Sequence, residues 1–526
     1  MARRFFHPRV FIPLLFFSGF LAIGLSIYKD YGVTWDDPIQ RQLGLATYNY
    51  VTGRTDSIVQ VAPPPLDNRY HNPVIELIEI LPEKMLQSDS LRSDFLLKHE
   101  MNFILSWIGF IFFYLLALEI FSDFKWAMLA SCLLLLTPRI FAHCFFNSKD
   151  IPVLFLFSAS VYCLIRWIKD PSWMKMLTLT LASGFLTGAR VMGLMMPVIV
   201  ILVWIFLFLN GKGNRQMNQT FISFLLLYPF AAYLFFPTIW SHPFSGIENA
   251  VTTMSHFPML AFTLFMGKIV ASTNTPWYFV PVWMAITFPL GWWLLFIIGL
   301  VALVMFILKK SSQLNSVHAL ILLLWIMIPI ASVIILKPNL YDDGRHFYFI
   351  YAPMILIGTY GMKCLFGDEF IRSRNLKYMS RISALIIFLS STIYLTCFMI
   401  ADHPFQYAYF NLIGRKYATQ DFEKDYWGIS YRNALQFLVA DDKSPDIKLC
   451  WTMAPCESNL VWLNDEDARR IHWTNFKDCD YFVTIFKSHQ PFNIPGKKIY
   501  EAKVQGIAII DLYKMNPPNN NDLPIY

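Results

Sequence analysis

The chain has 526 residues, of which 56% are hydrophobic and 15% charged, and its mean hydropathy is +0.44. Soluble proteins carry about 25% charged residues, so these values exclude an ordinary soluble protein. The formal net charge of +7 does not indicate nucleic-acid binding, because the Lys and Arg residues lie mostly in short loops between apolar blocks. The eight cysteines form no Cys-x-x-Cys pair, so a zinc or redox centre is unsupported.

Apolar blocks along the chain predict a mainly α-helical, polytopic membrane protein. About 20 apolar residues are needed for a helix to cross a hydrocarbon core about 30 Å thick. About eleven such blocks are present, near 10–28, 101–121, 126–138, 150–168, 175–189, 191–209, 219–237, 282–308, 317–337, 347–366 and 380–400. A cleaved signal peptide is the alternative for the first block, but Tyr28 and Lys29 follow it instead of a small-residue cleavage site. We therefore expect an uncleaved first span.

The distribution of basic residues predicts the orientation. Short loops that carry Lys and Arg, such as those at 212–215 and 309–310, are expected in the cytoplasm by the positive-inside rule. The other loops are longer and rich in Trp, His, Asn and Pro; they lie at 29–100, 139–149, around 190, 238–281, 338–346 and from 401 onward. The sequence thus predicts a plasma or inner membrane protein with a cytoplasmic N-terminus and a functional outer face.

The tail 401–526 is predicted to be a small α/β domain outside the cytoplasm, following a transmembrane domain at 1–400. Residues 430–440 have helical spacing, whereas 446–453, 480–486, 497–504 and 506–513 are typical of short strands. Cys450, Cys456 and Cys479 lie in this tail, and one pair of them is expected to form a disulfide if the tail is outside. The sequence does not select the pair. Residues 516–526 are expected to be disordered.

The first candidate site residues are Asp36 and Asp37, which follow the first span in the segment Trp35–Pro38. A carboxylate at the membrane surface can deprotonate an acceptor hydroxyl. The alternative is structural, because an Asp before a Pro commonly starts a helix.

The second candidate segment, 139–150, contains Arg139, His143, Lys149 and Asp150. Cations at this depth attract lipid phosphate, and Arg can bind it bidentately. The alternative is ordinary snorkelling of long basic side chains towards the interface. Arg190 lies at the outer end of another apolar pair and is a further candidate phosphate ligand.

The third segment, 342–346, contains Asp342, Asp343, Arg345 and His346 directly before a span. Charged residues at such a depth usually face a cavity or a partner. The alternative is a turn in which Arg345 pairs with a neighbouring Asp.

Together, these residues favour a glycosyl transfer from a polyprenyl phosphate. Cations can stabilise the leaving phosphate, so one base is sufficient for an in-line displacement with inversion, and no general acid is needed. No cofactor is expected, and a divalent metal is not favoured because cations already surround the phosphate. No P-loop or dinucleotide-binding fingerprint is present. A transporter is disfavoured because no internal repeat is seen. A ligase or polymerase that transfers whole oligosaccharides is the nearer alternative.

The order of these motifs resembles that of the GT-C glycosyltransferases of the protein O-mannosyltransferase and aminoarabinose-transferase type. The segment 35–38 resembles the Asp-Glu pair of the family's first outer loop, which assigns the catalytic role to Asp36. Residues 139–152 resemble the second outer loop, with Ser148 where the family has Pro, and 343–349 resemble a late motif close to the carrier phosphate.

The resemblance implies eleven to thirteen spans, a lipid-linked monosaccharide donor, and a lipid, polysaccharide or protein acceptor. It also implies that the loop at 237–246, with Trp240, covers the site. His71, in the segment 69–74, stands where aminoarabinose transferases have a Glu-Lys-Pro run. The expected site residues are thus Asp36 and Asp37 for catalysis, Arg139, Lys149, Arg190 and Arg345 for the donor phosphate, and His71, His143, His346 and Trp240 for substrate binding.

Overall fold

The computed structural model describes residues 7–62, 66–309, 316–367, 373–487 and 494–516. Arg3, Arg4, Lys310 and residues 517–526, to which predictions above also apply, lie outside the described residues. The helices before the C-terminal domain are α1 Pro8–Ile27, α2 Asp37–Val51, α3 Pro73–Leu86, α4 Leu91–Phe121, α5 Phe124–Leu135, α6 Pro138–His143, α7 Asp150–Lys169, α8 Trp173–Ala189, α9 Met195–Leu209, α10 Arg215–Leu234, α11 Pro243–Ser255, α12 Phe279–Thr287, α13 Leu290–Lys309, α14 Ser316–Leu336, α15 Tyr351–Phe366 and α16 Arg374–Ala401.

Every predicted apolar block lies on helix, which confirms the mainly α, polytopic fold. Within the described ranges, seven helices are long and apolar enough to cross a membrane, or eight if one bent pair is counted as a span. The remaining three blocks lie on α5, α8 and α10. Two of these helices are short, with 12 and 17 residues, and α10 has a polar first turn. The predicted number of about eleven therefore includes three helices that fall below this test.

Two predicted boundaries are wrong. The block at 282–308 is not one span, because α12 and the helix that follows it meet at an angle of 115°. The bend lies at Phe288 and Pro289, where the residue before a proline avoids the helical region. The second span begins at Leu91 rather than near 101. Lys98 and His99 lie within the predicted loop 29–100, but both are buried and paired on this helix.

The predicted first outer loop, 29–100, contains two helices, α2 and α3, which pack against each other. The predicted second outer loop is also largely helical, because α6 occupies 138–143 and residues 138–150 are all buried. The loop at 238–281 contains α11 and a hairpin of β1 Phe262–Phe265 and β2 Lys268–Ala271. These segments lie on the same side of the bundle as the C-terminal domain, to which they make direct contacts.

Close helix packing supports the span that follows Arg345. A Cβ at Gly361, in α15, would lie 2.5 Å from the backbone nitrogen of Gly299, in α13. The two backbones can therefore approach closely only because neither position has a side chain. Any larger residue at Gly361 would displace α15 and with it the short helical turn Arg345–Ile350.

The C-terminal domain contains the predicted small mixed sheet. Its helices are α17 Ala418–Asp421, α18 Tyr431–Asp441, α19 Pro455–Ser458 and α20 Asp465–Arg470, and its strands are β3 Ile447–Trp451, β4 Ile471–Trp473, β5 Tyr481–Ile485, β6 Gly496–Val504 and β7 Ile507–Met515. The strand order is β4-β3-β5-β7-β6, with β3 parallel to β4 and β5. All four predicted strands and the predicted helix are confirmed, and Gly506 forms the β6–β7 turn with a φ of 79°. The three-residue β4 was not predicted.

The disulfide that the sequence left open joins Cys450 to Cys479. Cys450 lies on β3, and Cys479 lies shortly before β5, the neighbouring strand. Cys456 is buried and free. The bond therefore links two neighbouring parts of the sheet, and the two cysteines are 29 residues apart in the sequence.

We expect this bond in the protein isolated without reductant. Trypsin then releases residues 449–469 and 478–487 as one cross-linked peptide, which mass spectrometry detects. Because Cys456 lies in the first peptide, Cys456→Ser must retain the cross-link and Cys450→Ser must lose it. The opposite pattern would contradict the assignment. Loss of the bond should lower the free energy of unfolding by about 3 to 4 kcal/mol for a loop of this size.

Candidate active site

Asp36 directly precedes α2 and lies beside two cations. The helix begins at Asp37 with Pro38 in its first turn, as an Asp-Pro start predicts. The Asp36 side chain does not cap the helix. Its Oδ2 instead lies 2.6 Å from Lys149 Nζ and 4.0 Å from Arg345 Nη1. About 18% of the side chain is exposed, so Asp36 is a paired carboxylate that a substrate can reach.

Asp37 has different surroundings, although it is the next residue. Its side chain is 1% exposed, accepts a hydrogen bond of 2.8 Å from the Thr34 backbone N–H and lies 3.4 Å from His99 Nε2. Burial raises the pKa of Asp37, but the contacts with His99 and the charge of Lys98 outweigh burial and lower it overall. Asp37 is therefore a charged group that anchors the start of α2 inside the protein. This position offers no support for the predicted catalytic role of Asp37.

Lys149 and Asp150 are held at the start of α7 by Asn147. The Asn147 Oδ1 accepts hydrogen bonds from the backbone N–H groups of Lys149, at 3.1 Å, and of Asp150, at 2.9 Å. Lys149 is 5% exposed. Burial lowers the pKa of Lys149, and the Asp36 carboxylate partly offsets this effect. Lys149 is thus a buried cation with one direct carboxylate partner, which excludes simple snorkelling at the surface.

Arg345 connects the carboxylates of separate segments. Its Nη1 lies 2.8 Å from Asp150 Oδ2, and its Nη2 lies 3.0 Å from Asp342 Oδ2. Its guanidinium carbon lies 4.8 Å from the centre of the Trp427 ring. The side chain is 2% exposed. The predicted turn in which Arg345 pairs with a neighbouring Asp is confirmed, and the guanidinium organises the site from inside.

Arg190, His71 and His346 line the polar end of a groove with a volume of about 320 Å³. Arg190 Nη1 lies 2.6 Å from Asp150 Oδ1, so Arg190 also belongs to the cluster around Arg345. His71 Nδ1 is buried and has no hydrogen-bond partner among the described residues. Burial lowers the pKa of His71 well below its usual range, so the neutral ring can donate or accept one further hydrogen bond.

Most of the remaining lining of the groove is apolar. The groove runs between the spans 191–209 and 316–336, and α11 forms part of its wall. The apolar lining includes Val191, Met195, Val198, Val251, Met254, Phe257, Ile328, Leu336, Leu340 and Phe347. A groove of this kind accommodates an aliphatic chain along its length and a polar group at its charged end.

Lys487, from the C-terminal domain, completes the cluster and was missed by the sequence analysis. Its Nζ lies 2.9 Å from Asp342 Oδ1 and 5.6 Å from the centre of the Trp35 ring. Burial lowers the pKa of Lys487, but the adjacent Asp342 carboxylate is the main cause that raises it overall. The same ion pair, with Arg345, holds the pKa of Asp342 at about 2 against the effect of burial. The only local signal was a lysine shortly after a largely apolar strand.

The cluster contains one more positive than negative side chain, apart from the histidines and from Glu423, whose pKa is raised well above its usual value by burial. Its cations are Lys149, Arg190, Arg345 and Lys487, and its carboxylates are Asp36, Asp150 and Asp342. An unpaired buried charge is costly, so a net positive site of this kind favours an anionic ligand.

Besides Asp37, three of the predicted site residues lie outside this cluster. Arg139 is buried in an ion pair with Asp343, and its Nε donates to the backbone oxygen of Tyr409 at 3.0 Å. His143 is fully buried and forms a hydrogen bond with Asn147. Trp240 donates from Nε1 to the backbone oxygen of Tyr233 at 2.7 Å.

Each of these three residues therefore already has a partner within the protein. The Trp240 ring also contacts the rings of Tyr50 and Tyr233, to which it is tilted. We therefore leave Arg139 out of the donor-phosphate site and His143 and Trp240 out of the substrate site.

No group of three or more His, Cys, Asp or Glu side chains is arranged to hold a metal ion within the described ranges. Metal independence therefore stays a prediction.

Comparisons with known proteins bear on the segment that carries Lys149 and Arg190. Residues 100–240 match the sequence profile of the dolichyl-phosphate-mannose-protein mannosyltransferase family. This match includes α7 and Arg190 but neither Asp36 nor Arg345. A search of curated proteins found no match.

Several solved structures are similar in fold. ArnT from Cupriavidus metallidurans in the apo state is 12% identical, and the match covers 95% of this chain and 98% of that chain with a TM-score of 0.48. The Archaeoglobus fulgidus oligosaccharyltransferase in the apo form is 13% identical, with coverages of 88% and 65% and a TM-score of 0.48. The oligosaccharyltransferase AglB of the same organism, in complex with an inhibitory peptide and a dolichol-phosphate, is 11% identical, with coverages of 89% and 69% and a TM-score of 0.48.

The chain thus spans 65% of the length of the first oligosaccharyltransferase structure. All three TM-scores are below 0.5, so no activity of this chain is inferred from these structures. The predicted resemblance to the protein O-mannosyltransferase type is confirmed, over residues 100–240, by the match to the dolichyl-phosphate-mannose-protein mannosyltransferase family.

Proposed function

We propose that this protein transfers a monosaccharide from a polyprenyl-phosphate carrier to an acceptor hydroxyl, with inversion at the sugar carbon. One observation carries the proposal: an apolar groove ends at a net positive cluster, beside the partly exposed carboxylate of Asp36. The polyprenyl chain occupies the groove in this proposal. The phosphate lies near Arg190, Lys149 and His71, and the sugar faces Asp36. The acceptor is a lipid, a polysaccharide or a protein.

The reaction requires one base. Asp36 takes the proton of the acceptor hydroxyl, and the acceptor oxygen forms a bond to the anomeric carbon. The bond from that carbon to the phosphate oxygen breaks, and the phosphate leaves with the electron pair. Protonation of the leaving group is unnecessary, because the adjacent cations stabilise its charge.

The charge of the cluster fits both ends of this reaction. The donor is a phosphodiester with one negative charge, which balances the single excess cation. Transfer of a proton to Asp36 removes one carboxylate charge, so the cluster then has two excess positive charges. The product, a phosphate monoester, has a second pKa near 6 and carries close to two negative charges at pH 7. The site is thus nearly neutral before and after transfer.

The site is proposed to face the outside of the cell. Short basic loops lie on the opposite side of the bundle in the predicted topology. The disulfide between Cys450 and Cys479 supports the same orientation, because such bonds persist in oxidising compartments. A lipid-linked donor also supplies activated sugar where soluble nucleotide sugars are absent.

Asp36→Asn should lower turnover by about 10²- to 10⁴-fold, because it retains the shape of the side chain but removes the base. Turnover is measured with purified protein, a polyprenyl-phosphate monosaccharide and an acceptor extract, at matched protein levels. Asp37→Asn is the neighbouring control and should chiefly lower thermal stability, since Asp37 anchors α2. Near-normal turnover of Asp36→Asn would remove Asp36 from the mechanism, and loss of turnover only in Asp37→Asn would exchange the two roles.

Arg190→Ala should raise the donor KM and also lower kcat, on the order of 10²-fold in kcat/KM, because the phosphate gains charge as the sugar leaves. Arg190→Lys should recover part of this loss, since it retains charge without the planar fork. Arg166→Ala is a matched control: Arg166 is 45% exposed and pairs with Glu119, far along α7 from the site. Unchanged kcat and donor KM in Arg190→Ala would contradict the proposed phosphate position.

Metal independence is part of the proposal. The single excess positive charge of the cluster already balances the charge of the donor phosphate, so a bound divalent ion would add redundant positive charge. We expect turnover to be unchanged after treatment with EDTA. Loss of turnover in EDTA, with recovery on addition of Mn²⁺ or Mg²⁺, would contradict this expectation.

A further inference from the structure

A second group of buried charges lies behind Lys149 and has no part in the mechanism above. It consists of Glu76 and Glu79, on α3, and Lys98, on α4. Lys98 Nζ lies 2.6 Å from Glu76 Oε2 and 2.5 Å from Glu79 Oε2. Each of the three residues is at most 4% exposed. Burying these charges is costly, and apolar residues of similar volume would join the helices at least as well.

Glu76 also reaches the segment that carries Lys149. Its Oε1 accepts a hydrogen bond from the Ser148 hydroxyl. Asn72, one turn earlier on the same element, donates from Nδ2 to the backbone oxygen of Ser148. Ser148 is therefore held at its side chain and at its backbone by the start of α3. These two contacts connect the first outer loop to the residue directly before Lys149.

The position of Ser148 determines where two site residues lie. Lys149 pairs with Asp36, and Asp150 pairs with both Arg190 and Arg345. Asn147 fixes the local turn, but its hydrogen bonds lie within the segment 143–150 and do not locate that segment relative to α3. The contacts from Glu76 and Asn72 to Ser148 fix the position of that segment relative to α3. The glycosyltransferase family that this segment resembles has proline at the position of Ser148, and proline has no side-chain hydroxyl.

We propose that Glu76 is a positioning residue, which acts through Ser148 to hold Lys149 and Asp150 against Asp36 and the donor phosphate. Lys98 in turn holds the Glu76 carboxylate, so that Oε1 faces Ser148. This inference rests on the proposed function. A displacement of about 1 Å at a reacting group can cost about 10²-fold in rate.

The test compares Glu76→Ala, Glu76→Gln and Ser148→Ala in the full-length protein. Glu76→Ala and Ser148→Ala should each lower kcat by about 10- to 100-fold, with a smaller change in the donor KM. The double variant should lose little more than either single variant, because both changes interrupt one connection. Glu76→Gln retains an oxygen that can accept from Ser148 and should recover most of kcat.

Glu83→Ala is the matched control. Glu83 lies on the same helix, is similarly buried and binds Arg41 through two contacts of 2.7 and 2.9 Å, but it has no contact with Ser148. We expect Glu83→Ala to lower the melting temperature without lowering kcat. Ser148→Ala removes only one hydroxyl group. If Glu76→Ala does not fold, the kcat of Ser148→Ala alone tests the proposal.

Two results would overturn the inference: a kcat for Ser148→Ala within twofold of the unaltered protein, or equal losses of kcat in Glu83→Ala and Glu76→Ala. Absence of transfer by the unaltered protein, with every polyprenyl-phosphate sugar tested, would instead contradict the proposed function. The two failures are therefore distinguishable.

Discussion

The site depends on the pairing of one buried guanidinium with carboxylates from different parts of the chain. Arg345 is 2% exposed and contacts Asp150 and Asp342, with Asp36 4.0 Å away. An isolated charge at this depth would be costly, and removing one partner of a buried pair typically costs about 3 to 5 kcal/mol. Arg345 therefore constrains three separate segments to converge, and the remaining site residues lie where this convergence places them.

The same constraint explains why the C-terminal domain cannot be regarded as an independent appendage. The Trp427 ring covers the guanidinium of Arg345, and Lys487 shares Asp342 with it. The first outer loop also joins this domain, since the backbone N–H of Trp35 donates to the backbone oxygen of Trp427 at 3.1 Å. Residues on either side of Asp36 thus reach the domain and the bundle at once. Correct docking of the domain is consequently a condition for a complete site.

Local patterns were sufficient to predict much of the fold. Apolar block length located the long helices of the bundle, and alternation located four of the five strands of the C-terminal sheet. The Asp36-Pro38 start of α2 followed from helix capping preferences. Errors arose where a distant partner overrides the local pattern. Lys98 and His99 resemble loop residues by composition, but pairing with Glu76 and Asp37 keeps them inside a helix.

The candidate site was predictable only in part, because distant partners also determine which charged residues belong to it. Charged residues at the ends of apolar blocks correctly identified Asp36, Lys149, Arg190 and Arg345 as one neighbourhood. Arg139 carries the same local signal, but Asp343 and the backbone of Tyr409 satisfy it internally. Lys487 carries almost no local signal, because its position is set by the docking of a whole domain. Sequence patterns show which residues are unusual at their depth, whereas tertiary pairing determines which of them face a substrate.

The most direct measurement is a structure of this protein with a bound polyprenyl phosphate. The account predicts that the phosphate lies within hydrogen-bonding distance of Arg190 and Lys149, with the chain in the groove between the spans 191–209 and 316–336. A different apolar groove, of about 660 Å³, runs between α4, α7 and α8 and has Arg166 and Lys175 at its basic end. A phosphate bound at that end, with the cluster around Arg345 left empty, would contradict the central claim.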